Sequence, residues 1–158
     1  LIVLDDDMKE TPQESKIIAR MQAGVITLNG FLGSDTRHLH EIIAEDAKVL
    51  SALGTSQSEI ADRMQYFSDA SFESYDTPVF IEDNYEVETD VVRGKLPCPF
   101  SHAGLYRKTL TTLHNRANGI SVRWTALSIH MIREHGFFEG IGSPFRLDPQ
   151  KLYKALFT

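Results

Sequence analysis

The chain has 158 residues, a formal net charge of −6, 42% hydrophobic and 24% charged residues. That composition fits one globular domain, or two small ones sharing a core, and excludes collagen-like and disordered chains. No apolar run approaches the roughly 20 residues of a membrane-spanning helix, and the single cysteine excludes an internal disulfide framework, which together predict a cytoplasmic protein with no membrane partner.

The net charge averages two unlike stretches. Residues 1–92 hold six basic and nineteen acidic residues, whereas residues 93–158 hold ten basic and three acidic. Such an asymmetry predicts either an anionic partner for the C-terminal part or attraction between the parts, within the chain or across a homo-oligomer. The expected organisation is an acidic helical part over residues 1–77 and a basic α+β part over 78–158, the two joined or merged in one compact domain.

Taken in chain order, Leu1–Asp7 reads as a strand ending in carboxylates. It is similar to the first strand of a receiver domain, but the later strand-end Asp and Lys of that family are missing. Thr11-Pro-Gln-Glu14 predicts a capped helix start, with Ile17, Ile18, Met21, Val25 and Leu28 at helical spacing. Ser34-Asp35 predicts a second helix closed by Gly54, and Ser56 with Glu59 a capping box for a third. Three short-linked helices predict an antiparallel N-terminal helical layer. Val79–Ile81 and Tyr85–Val92 read as strands. Leu105–His114 and Ile120–Thr125 read as a hairpin around Asn118-Gly119. Ala126–His135 reads as a helix stopped by Gly136, Gly140–Pro144 as a turn, and Asp148-Pro149 as the start of a last helix. The predicted class is α+β.

Two residue pairs carry metal-ligand chemistry. Cys98 and His102 lie in Pro97-Cys-Pro-Phe-Ser-His102, and His130 and His135 close the predicted helix. A thiolate and three neutral imidazoles form a donor set suited to tetrahedral zinc. Residues five apart on a helix are about 140° out of alignment, so the two histidines converge only near a helix end. The order of turn, hairpin and helix resembles a treble-clef or related zinc-finger unit over residues 95–137. That resemblance implies a structural zinc ion closed by four protein ligands.

Three functions follow as expectations. The first is a non-enzymatic zinc-binding module that contacts nucleic acid or an acidic protein through Arg107, Lys108, Arg116 and Arg123, which are interleaved with Tyr106 and Trp124. The second is a metal-dependent hydrolase similar to the His-metal nucleases, with His114 as general base. The third is a subunit whose opposite charges drive self-association. His38 with Glu41 reads as a solvated helical face, and Gly140–Gly142 with Ser143 and Arg146 as a flexible turn.

Overall fold

The computed structural model describes residues 10–74, 77–101 and 103–158. The predicted Leu1–Asp7 strand and His102 therefore lie outside the described residues. The architecture is α+β: five helices and one antiparallel sheet of four strands in the order β1-β2-β3-β4 among the described residues.

Helix α1 (Pro12–Arg20) begins as the sequence predicts. Thr11 Oγ1 accepts from the Glu14 N–H at 3.0 Å, and proline occupies the first turn. It stops at Arg20 and does not continue to Leu28. The chain turns back there: Phe31 N–H donates to Met21 O at 2.9 Å, and Gly30 adopts φ +69°. A Cβ at Gly30 would stand 2.5 Å from Met21 O, so only glycine permits this backbone contact.

Helix α2 (Leu39–Leu53) starts after His38, later than Ser34-Asp35. Asp35 is committed elsewhere: its carboxylate accepts from the Arg37 guanidinium and from Ile141 N–H at 3.1 Å. Gly54, φ +75°, closes α2 as expected. Helix α3 (Gln57–Ala70) is capped by Ser56 Oγ, while the Glu59 carboxylate accepts from Thr55. The predicted reciprocal bond to Ser56 is thereby replaced.

Strands β1 (Val79–Ile81), β2 (Tyr85–Pro97), β3 (Leu105–Asn115) and β4 (Ser121–Thr125) form the sheet. The predicted β3–β4 hairpin is present, with Gly119 N–H donating to Asn115 O at 2.7 Å across the turn. β1 covers only the first residues of β2, and β4 pairs with Leu110–His114 of β3. Beyond that, β2 and β3 continue alone as a ribbon, with a bulge between Val92 and Lys95 at Gly94 (φ +108°). Helix α4 (Ala126–His135) follows β4 directly, and α5 (Pro149–Phe157) is capped by Asp148.

The helices of the first half find their main helical partners in the second: α3 on α4, and α2 on α5. They do not stack as a separate layer, because their apolar faces complete cores built around the sheet and α4. One core joins Ile60, Met64 and Phe67 to Val87, Leu113, Trp124 and Leu152. The other joins Met21, Phe31 and Ile42 to Cys98, Leu127 and Phe137. Both therefore span residue 78. Charge follows the same seam, since Asp62 pairs with Arg133 at 2.8 Å and Asp46 with Arg146 at 2.6 Å.

A polar chain crosses the larger core. Ser71, Thr89, Thr111 and Ser68 hydroxyls link in succession at 2.8 Å each, and Trp124 Nε1–H donates to Ser68 Oγ at 2.8 Å. Each buried hydroxyl thus has a partner, which removes the penalty for burying it. No described helix is long and apolar enough to cross a membrane.

Candidate metal centre

The β2–β3 ribbon delivers Cys98 at its tip. Cys98–Ser101 forms a tight turn in which Ser101 N–H donates to Cys98 O at 3.3 Å and Ser101 adopts φ +72°. Arg20, in the last turn of α1, clamps it. One guanidinium nitrogen donates to Cys98 O at 2.8 Å and the other to Ser101 Oγ. Phe100 N–H points at Cys98 Sγ from 3.4 Å.

Helix α4 supplies the imidazoles. Thr125 and Ser128 cap its start reciprocally, and Gly136 (φ +62°) closes its end. There Gly136 N–H donates to Ile132 O at 3.0 Å and Phe137 N–H to Met131 O at 3.1 Å. Gln57 of α3 secures the same terminus by donating to Arg133 O at 2.9 Å. His135 is thus held at the last helical position. The sequence leaves open whether the helix must tighten or unwind for the two histidines to converge. The α-helix runs to His135, and the two rings meet edge to face with centroids 5.4 Å apart.

Cys98 Sγ, His130 and His135 offer ligand atoms that all lie within 4.8 Å of one another. Cys98 is fully buried, and Sγ stands 3.6 Å from His135 Nε2. Tetrahedral zinc with Zn–S of about 2.3 Å and Zn–N of about 2.05 Å gives a sulfur–nitrogen edge of about 3.6 Å. The longer separations close with side-chain shifts of about 1 Å, an estimate from the same bond lengths.

The rings are positioned from outside. Phe100 stacks on His135 with centroids 4.0 Å apart and planes 8° from parallel. Tyr106 stacks on His130, its Oη 3.0 Å from Nδ1 and 3.3 Å from Nε2. Both ring nitrogens lie within reach of the hydroxyl; a metal-bound histidine ligates through one and donates from the other, which Tyr106 Oη can receive. Burial raises the Tyr106 hydroxyl above its ordinary value, with Cys98 and Glu134 adding to the effect. Tyr106 therefore stays a neutral phenol, whose oxygen can accept from the ring N–H of a metal-bound His130. His130 also borders an open groove of about 380 Å³.

The other candidate residues lie apart from this centre. His114 bonds Ser121 Oγ at 2.6 Å near the far end of β3. Between Tyr106 and His114 runs about 25 Å of strand at 3.3 Å per residue, so one ion on the triad is out of reach of His114. Arg116 lies in the hairpin turn over Phe80, and Arg123 on β4 over Phe145. Arg107 and Lys108 sit on the ribbon, where Arg107 pairs with Lys95 and Lys108 with Val92. The four cations singled out by sequence thus occupy three places. The denser grouping is Arg93, Lys95, Arg107 and Lys108, all exposed, none making an ion pair with a described residue. Arg93 and Lys95 escape sequence reasoning because only the pairing register brings them beside Arg107.

His38 and His40 stack with centroids 5.3 Å apart and bond Glu10 and Glu14 from α1 or just before it, the His40 contact being 2.9 Å. They tie α1 to the start of α2 and form no ligand cluster with three members among the described residues. The Gly140 turn is tightly packed: a Cβ there would stand 2.2 Å from Leu32 O.

Comparison with protein-family models, with curated proteins and with solved structures finds no match to this chain.

Proposed function

We propose that the chain is a zinc-binding interaction module. Cys98, His130 and His135 hold the ion, with His102 as fourth ligand. The observation that carries this reading is the convergence of a buried sulfur and two imidazoles, brought from a ribbon tip and a helix end, within 4.8 Å. The donor set is the one zinc selects, and Phe100 N–H and Tyr106 Oη supply the outer hydrogen bonds such sites need. The order of turn, hairpin and helix supports a treble-clef-like unit. Four protein ligands make the ion structural: it pins the ribbon to α4 and adds folding free energy.

The pinned ribbon is the contact surface. Its four cations, none in an ion pair with a described residue, stand beside Val91, Val92 and Leu105, which are 54%, 54% and 62% exposed. Cations interleaved with apolar side chains suit an anionic partner, a nucleic acid or an acidic protein. Metal analysis of the purified chain tests the zinc reading, with one equivalent expected and Cys98→Ala losing it. Equal metal in both proteins, or none in either, contradicts it. Binding to a mixed-sequence oligonucleotide tests the partner. Affinity that falls with salt and is lost when Lys95 and Arg107 become Glu supports nucleic acid, and salt-independent binding removes it.

A further inference from the structure

Two buried carboxylates of this fold each hold a guanidinium. Asp35 pairs with Arg37, and Asp46 with Arg146, both at 2.6 Å. Glu139, only 5% exposed, makes no ion pair with a described residue. Arg146 passes beside it but donates to its backbone O at 2.8 Å, while its carboxylate accepts only from Ser143 Oγ at 2.6 Å. The backbone at Glu139 is strained, at φ +70°, and is held there by the Arg146 contact and by Gly140 N–H donating to Phe31 O at 2.8 Å.

Glu139 also lines a cavity of about 120 Å³. The remaining wall is largely apolar, formed by Phe31, Leu96, Leu127, Met131 and Phe145, with the 84% exposed Leu28 on its solvent side. A small apolar cavity with one convergent polar group is the form a small-molecule site takes. A carboxyl buried beside it without an ion pair to a described residue keeps its proton or gains from a cation in the cavity. We propose that this cavity binds a small aliphatic ammonium ion, with Glu139 as the counter-charge. A cavity of about 120 Å³ has room for a chain of three or four carbons. The site does not depend on the zinc reading.

Burial holds the Glu139 carboxyl at about 7, with Ser143 and Arg146 opposing the rise. Arg146 is itself neutralised by Asp46, so neither removes the need for a counter-ion. Binding strengthens as pH rises from 6 to 8, by about tenfold, because the ionised fraction rises by that factor. The test is titration of the full chain with n-butylammonium chloride, followed through the Met131 methyl and Glu139 carboxyl NMR signals. The expected result is saturable shifts, tighter at pH 8, with the neutral isostere 1-butanol at least tenfold weaker and Glu139→Gln weakened by about tenfold. Shifts that do not saturate, or 1-butanol binding as well as the ammonium ion, overturn the proposal. The alcohol comparison uses the unmodified protein, so it decides the matter even if Glu139→Gln fails to fold.

Discussion

Glu139→Gln isolates the energetic consequence of the buried carboxyl. Burial raises its pKa from an ordinary 4.5 to about 7. The folded chain therefore retains a proton that the unfolded chain releases between those values. Since the unfolded state binds fewer protons in that window, stability falls as pH rises through it. The full fall is about 3 kcal/mol, from 1.36 kcal/mol per pKa unit. Glutamine can keep the Ser143 bond and has no charge to bury, so the variant lacks the fall. Urea unfolding of both proteins from pH 5 to pH 8 gives the comparison. Contributions of other groups cancel in the difference, including Asp35, whose lowered value acts only in acid. The variant is expected to gain stability relative to the wild type progressively up to pH 8. A difference that stays constant with pH, or that favours the wild type at pH 8, refutes the reasoning.

Arg146→Met leaves Asp46 charged and buried without its partner, at a cost of about 3–5 kcal/mol and a melting temperature lower by roughly 10 °C. Adding Asp46→Leu recovers much of that loss in the same thermal melt. Thr111→Val removes one of two partners from each of the Thr89 and Ser68 hydroxyls, which keep Ser71 and Trp124, and costs about 1 kcal/mol by urea unfolding. Gly54→Ala and Gly136→Ala each force a left-handed residue, at about 1 kcal/mol. Only the second lies at the His135 end of α4, so zinc affinity in a chelator competition falls for Gly136→Ala and holds for Gly54→Ala.

Local chemistry was legible in the sequence wherever it decides structure by itself. Thr11, Ser56, Asp148, Gly54 and Gly136 mark helix ends because each satisfies terminal groups within a few residues. Asn118-Gly119 marks the hairpin for the same reason. What failed was decided at a distance. Asp35 looks like a helix cap but is held by Arg37 and the Ile141 amide. The α1 periodicity runs past Arg20, yet Gly30 folds the chain back on Met21. Of the metal candidates, Cys98, His130 and His135 were visible from ligand type and spacing. Tyr106 and Arg20, which position them, were not, since neither belongs to a ligand pattern. Glu139 gave no signal at all: its significance comes from Arg146 being claimed by Asp46, a contact between α2 and the loop before α5.

X-ray absorption at the zinc edge of the metal-loaded chain examines the coordination directly. The account predicts one sulfur at about 2.3 Å and three nitrogens at about 2.0 Å, with the sulfur shell lost in Cys98→Ala. A zinc environment of oxygen and nitrogen alone in the unmodified protein would contradict it.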